Sequence, residues 1–229
     1  MSESEDRLAE LILDLFFVRK DTYGNEDENG WRTMKTPITK ILVKQHLRGG
    51  PCLGAHVTSS DSQCKWIGWD TDEARLMFVI YERAVKRYPK SAVLFNRTGG
   101  RGYHVRVFFD RLVPSSLAHR LAYEPVKDLK RVEFFPKQPS ISEEGFGHFM
   151  RLPLGTHGKT GQVGLLLQPK SLLDFQPCAP RLPEEPTFED ISFLCSHRIL
   201  DNLGYWNCLA SNGTVGLCTK ENCPRAEQT

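Results

Sequence analysis

The sequence predicts a mixed α and β fold, and three observations predict it. Near the N-terminus Leu8, Leu11, Ile12, Leu15 and Phe16 recur at helical spacing. The same period returns in Met77, Ile80, Tyr81, Ala84, Val85 and Tyr88, a helix that Pro89 stops. Around these helices, short runs of β-branched and aromatic residues alternate with glycine- and serine-rich turns, which is the pattern of hairpins.

The remaining elements follow in chain order. "DTYGNEDENG" reads as a polar loop, after which Pro37 opens a helix with Ile38, Ile41 and Leu42 on its apolar face. "CLGAHVT" and "CKWIGWD" are strands around the turn "SSDSQ", which makes them a hairpin. "AVLFNR" and "YHVRVFF" flank the glycine-rich "TGGRG" as a second hairpin. A helix runs from about Pro114 until Pro125 interrupts it, and "VEFF" and "VGLLLQ" are later strands. From Pro177 the texture changes, since "QPCAPRLPEEP" carries four prolines in eleven residues. The expected organisation is a main domain over residues 1–176, then a proline-rich linker and cysteine-bearing tail over 177–229.

Composition limits the function classes. With 229 residues, 40% of them hydrophobic and 25% charged, the chain can bury a substantial core. Its longest apolar runs are too short to span a bilayer, and "MSESEDRLAE" is acidic where an export signal is basic and then apolar. No membrane association and a cytoplasmic location are expected. A net charge of +2 permits nucleic acid without demanding it, although "RAVKRYPK" and "KDLKRVEFFPK" are locally basic. Seven cysteines without an export signal read as reduced thiols or metal ligands.

Three stretches carry chemistry. In "WIGWDTDEARLM" strand alternation sends Asp70 and Asp72 to one face, where their charges repel unless a cation sits between them. Mg²⁺ or Mn²⁺ suits such oxygen donors. A DxD alone is also an ordinary acidic surface turn. In "RTGGRGYHVRVFF" alternation sets His104, Arg106 and Phe108 on one face and Val105, Val107 and Phe109 on the other. Its glycines admit close backbone approach to a ligand, and Arg101 adds a cation suited to a triphosphate; a routine hairpin loop is the plain alternative. In "RVEFFPKQ" Glu133 interrupts an apolar strand, which is costly unless the charge is paired or binds a metal, or points to solvent at an edge. Lys137 follows it past the turn at Pro136, and Arg151, His157 and Lys159 surround the glycine-containing turn of "RLPLGTHGKTG". Trp66, Trp69 and Tyr103 flank these segments and read as core.

In this order, "WDTD", "TGGRGYH" and "VEFFPKQ" resemble the motifs of the archaeo-eukaryotic primase superfamily, the primase-polymerases. The longer stretches "VRKDTYG", "KQHLRGGPCLGAHVTSSDSQCKWIGWDTD" and "FGHFMRLPLGTHGKTG" look like its plasmid- and CRISPR-associated branch, over about residues 15–170. The resemblance implies an α+β fold with a central, mostly antiparallel sheet flanked by helices. It implies a template-dependent nucleotidyltransferase, a primase or DNA polymerase, in which Asp70, Asp72 and Glu133 hold two Mg²⁺ or Mn²⁺ ions. Glu133 stands where many relatives carry aspartate. His104 is then the nucleotide-phosphate contact, with Arg101, Arg106, Lys137, Arg151, His157 and Lys159 as further nucleotide or template contacts. Nucleoside triphosphates, single-stranded DNA template and primer are the implied partners, with DNA replication, repair, a plasmid or a CRISPR system as the setting. Two other readings remain: a DxD glycosyltransferase, and a non-catalytic nucleic-acid-binding module on the same fold.

The tail gathers Cys195, Cys208, Cys218 and Cys223 with gaps of twelve, nine and four residues. Four thiolates suit a structural zinc ion or an iron–sulfur cluster, while scattered buried thiols are the plain alternative.

Overall fold

The computed structural model describes residues 3–27, 30–142 and 145–181, together with strand backbone at 198–200, 206–208 and 216–217. Compactness divides the chain into Met1–Arg181 and Leu182–Thr229. Among the described residues no helix is long and apolar enough to cross a membrane.

The first unit opens with α1 (Glu3–Phe16), which buries Ala9, Ile12, Leu15 and Phe16 as its spacing predicts. Strands β1 (Tyr23–Asp27) and β2 (Gly30–Met34) follow, then α2 (Lys40–Leu47), β3 (Cys52–His56), β4 (Gln63–Thr71) and α3 (Ala74–Arg87). After these come β5 (Val93–Arg97), β6 (Tyr103–Pro114), α4 (Ser115–Tyr123), β7 (Glu133–Phe135), β8 (Phe149–Arg151) and β9 (Leu165–Gln168). The second unit holds β10 (Arg198–Leu200), β11 (Trp206–Cys208) and β12 (Gly216–Leu217), paired antiparallel in that order.

The expected α+β class with antiparallel pairing is what the first unit shows, but the strands form two sheets. One has the order β2-β1-β3-β8 and the other β7-β4-β6-β5-β9. The five-stranded sheet is antiparallel throughout and positions the site. One face packs on α3 and α4, where the Trp69 indole N–H donates to the Ala122 carbonyl at 2.7 Å. The other face meets α1 and the four-stranded sheet. There the Trp66 indole N–H donates to the Phe16 carbonyl at 2.9 Å, and a Cβ on Gly68 would lie 2.7 Å from Met150 Sδ. Both tryptophans are fully buried with their one polar atom satisfied, as core residues require.

Three expectations are corrected. "DTYGNEDENG" is not a loop: most of it forms β1 and the start of β2, and β1 is buried along most of its length. Tertiary partners for its polar groups replace the apolar alternation that the sequence lacks. β3 and β4 are not a hairpin either. They share only the bridge Thr58↔Cys64, beyond which β3 joins β1 and β8 while β4 joins β6 and β7. Finally, α2 starts at Lys40, because the Thr39 side chain accepts from the Leu42 N–H at 3.3 Å and caps the helix there. It buries Val43, Lys44 and His46, and Ile41 faces solvent.

Among the described residues Cys52, Cys64 and Cys178 are free thiols. Burial pushes Cys52 and Cys64 up to about 11, so both stay protonated and unreactive at neutral pH. Cys195, Cys218 and Cys223 lie outside the described residues, and Cys208 is described only as the last backbone position of β11. Gln176 and Cys178 belong to the first unit: the Gln176 N–H donates to the Ser91 carbonyl, the Cys178 N–H to the Phe108 carbonyl, and the Cys178 carbonyl accepts from the Asp110 N–H.

Candidate active site

The central strands place polar residues in one row. Asp70 of β4 is the direct partner of Glu133 on β7 at one side and of His104 on β6 at the other, and His104 in turn faces Asn96 on β5. Directly paired residues project to the same face, so four polar side chains cross the sheet side by side. They lie at the end of the face that meets the four-stranded sheet. Asp72 follows just past the end of β4, and Asp70, Thr71, Asp72, Glu73, Arg131 and Glu133 line a cavity of about 360 Å³.

Each of the three carboxylates is turned toward a basic neighbour. Glu133 Oε2 accepts from Lys137 Nζ at 2.7 Å, Asp72 Oδ2 lies 4.0 Å from Arg101 Nη2, and Asp70 Oδ1 lies 3.5 Å from His104 Nε2. Burial raises the Asp70 carboxyl, but His104, Arg106 and Arg151 outweigh it and hold the group below its ordinary range. Burial pushes the His104 imidazole down, Asp70 works against that, and the charges of Arg106 and Arg151 add to it, leaving His104 more readily neutral than a free imidazole. The donor set, three carboxylates around one cavity, fits a hard divalent cation by its chemistry. Among the described residues no three His, Cys, Asp or Glu side chains already stand at coordinating spacing.

The glycine-rich turn between β5 and β6 is shaped by what lies on it. Gly99 has φ +82°, and a Cβ there would meet the Gln162 carbonyl oxygen at 2.3 Å. A Cβ on Gly100 would meet His157 Nε2 at 2.6 Å. The loop "GTHGKTG" therefore lies directly on "TGGRG", tied by the Thr160 hydroxyl donating to the Gly99 carbonyl at 2.9 Å. The glycines thus serve close packing of protein on protein, besides any ligand.

The basic candidates separate into distinct places. Arg101 is exposed at the rim beside Asp72, Lys137 is held by Glu133, and Lys159 is exposed on the loop above the turn. Arg106 has no accessible surface. Arg151 is engaged by Glu26, with Nη1 and Nη2 donating to its two oxygens at 2.5 and 2.9 Å and Trp31 stacked 4.9 Å away. His157 packs on Gly100, and its Nδ1 accepts from the Lys159 N–H at 3.2 Å.

Sequence reasoning missed four residues here. Glu26 grips Arg151 and accepts from the Gly158 N–H at 3.2 Å, so it joins β1, β8 and the loop. Asn96 is buried in the polar row, a signal that was visible as a lone amide inside "AVLFNR". Glu73 and Arg131 face each other at the cavity, Nη1 donating to Oε1 at 3.2 Å. Arg131 has φ +63°, and its carbonyl accepts from the Thr71 hydroxyl at 3.0 Å; nothing in its local sequence marks it.

A family model described as the archaeo-eukaryotic primase domain of TOTE conflict systems matches residues 13–173. The chain belongs to that family. Within the superfamily that the motifs resemble, the matching model is the TOTE one. Two solved structures are similar to this chain. The primase-polymerase domain of cyanophage S-2L is 19% identical with a TM-score of 0.48, over 75% of this chain and 92% of that one. The polymerase domain of Mycobacterium tuberculosis ligase D, solved in complex with DNA, is 12% identical with a TM-score of 0.42, over 70% of this chain and 77% of that one. No curated protein matches the sequence.

Proposed function

We propose that this primase domain is a template-dependent nucleotidyltransferase that joins nucleoside triphosphates on single-stranded or primed DNA. The observation that carries the reading is the convergence of Asp70, Asp72 and Glu133 on one cavity with His104 beside Asp70, in a chain of this family. Family membership replaces the glycosyltransferase reading of the DxD.

Asp70, Asp72 and Glu133 would hold Mg²⁺ or Mn²⁺, which supplies Lewis-acid neutralisation of the triphosphate and activation of the 3′ hydroxyl. The chain's own residues bind and orient. His104 meets a phosphate oxygen, and exposed Arg101 neutralises charge at the rim. Lys137 balances Glu133 until a cation takes that role, then is free to face the incoming phosphates. Phosphoryl transfer asks little covalent chemistry of a protein, so a preorganised row on a rigid sheet is what the reaction needs. Arg106 and Arg151 act from beneath the site.

The basic neighbour on each carboxylate favours a second reading, a domain that binds nucleotide or nucleic acid without turnover. One assay separates the two: primed and unprimed single-stranded DNA with Mg²⁺ or Mn²⁺ and each nucleotide set. Template-dependent extension that disappears in Asp72→Ala is the expected result. Binding of DNA and triphosphate without extension in any metal would sink the catalytic reading and leave the binding module.

A further inference from the structure

Arg106 sits on β6 two residues from His104, wholly buried, between the aromatic rings of Phe16 and Trp66 at 5.6 and 5.4 Å. Its guanidinium is anchored from both sheets. Nη1 donates to Asn96 Oδ1 of β5 at 2.9 Å, and Nη2 donates to the Arg151 carbonyl of β8. Nη2 also stands 3.2 Å from His104 Nδ1. A guanidinium has five N–H donors and no acceptor, so in this contact Nδ1 must accept and carries no proton. The proton of the neutral ring then belongs to Nε2, the nitrogen that lies 3.5 Å from Asp70 Oδ1.

We infer that Arg106 is a positioning residue: it fixes His104 as the Nε2–H tautomer and so makes it a hydrogen-bond donor to an anionic oxygen in the carboxylate cavity. The tautomer follows from the contact geometry alone; that the oxygen belongs to a nucleotide phosphate rests on the proposed function. Two consequences follow. His104 does not join the metal ligands, because Nε2, the nitrogen beside Asp70, has no free lone pair. It is also no general base toward the 3′ hydroxyl, for the same reason. Arginine suits the position because its planar fork reaches Asn96, the Arg151 carbonyl and Nδ1 at once, which a lysine ammonium on a flexible stem does not reproduce. Although burial pushes Arg106 down to about 9, it remains the protonated donor at neutral pH.

The test uses the full chain labelled with ¹⁵N-histidine, with ring nitrogens read by long-range proton–nitrogen correlation at neutral pH and the His104 ring identified by its loss in His104→Ala. The expected wild-type spectrum shows Nε2 protonated and Nδ1 not. In Arg106→Met and Arg106→Lys the His104 signals should move toward a tautomer mixture, and triphosphate affinity should fall about tenfold while affinity for single-stranded DNA holds. A His104 that is Nδ1-protonated or an imidazolium in wild type overturns the inference, and this needs no variant to fold. So does an Arg106→Met protein that folds, keeps a pure Nε2–H ring and binds triphosphate as wild type does. A wild-type protein with the expected tautomer that binds no triphosphate supports the placement of the proton by Arg106 and overturns the proposed function.

Discussion

Asp70 and Asp72 belong to one motif but stand in different surroundings, and that difference separates catalysis from stability. The Asp70 carboxyl is held below its ordinary range in the folded state, so its charge stabilises the fold above the unfolded-state pKa, an effect lost as pH falls through the folded-state value. Asp70→Asn should therefore lower the melting temperature modestly at neutral pH. Asp72, with 66% of its side chain exposed, should tolerate Asn without a change in melting temperature. Both variants should lose synthesis by at least about a hundredfold if the carboxylates hold metal. Thermal melts beside extension assays check this; an unchanged rate in Asp72→Asn would remove Asp72 from the site. His56 gives a second test, away from the site. It is fully buried against Phe146 and Phe149. Burial, helped by the charge of Arg19, pushes it down to about 4. The folded state thus favours the neutral ring, and the associated stability is present above the unfolded pKa near 6.5 and lost as pH falls toward 4. The full effect is roughly 3 kcal/mol. His56→Leu should flatten the stability profile over that window, as denaturant titrations at several pH values would show; an equally steep profile would place the acid sensitivity in other groups.

The elements divide by where their stabilising partners lie. α1, α3, β5 and β6 were legible because a single chain segment carries its own evidence: Met77, Ile80 and Ala84 recur at helical spacing, and Val105 and Val107 alternate with His104 and Arg106. Three of the four members of the polar row were legible for the same reason, since Asp70, His104 and Glu133 each interrupt or end an apolar run. β1 was not legible, because it pairs with β2 and β3 without an apolar alternation of its own, and its buried charge is balanced 125 residues away in sequence, where the Glu26 carboxylate lies in the guanidinium fork of Arg151. The divergence of β3 from β4 was hidden likewise, for the turn between them looks the same whether its strands pair or part. Removing one member of a buried ion pair leaves the other uncompensated, which costs about 3 kcal/mol or more. Glu26→Gln should therefore destabilise the first unit by an amount of that order and, by freeing the Gly158 N–H, loosen the loop that lies on the glycine-rich turn. Faster hydrogen exchange over residues 156–163 is the expected readout. Protection equal to wild type there would mean that the Thr160 contact to Gly99 suffices to hold the loop.

On the scale of the whole molecule, the two units differ in what can stabilise them. The first has a continuous core running from Ala9 to Phe175 between two sheets and their helices. The second has, among its described residues, strands of three, three and two residues, shorter than sheets that are stable by themselves usually need. Cys208 ends the central one of these strands, where its backbone pairs with Arg198 on one side and Gly216 on the other. A metal held by Cys195, Cys208, Cys218 and Cys223 would supply the missing stabilisation, since binding energy at a site absent from the unfolded chain is folding energy. Protein purified without chelators should then contain about one zinc per chain, or iron with visible absorbance if the group is a cluster, and serine at any of the four positions should release it. A chain ending at Arg181 should lack the metal, yet melt as the first unit does and extend a primed template, because the carboxylates, His104 and the core all precede that point. Elemental analysis that finds neither zinc nor iron in the full chain would leave four ordinary thiols. If the shortened chain folds but no longer extends a primer, residues after Arg181 take part in synthesis, and the active site has to be redrawn to include them.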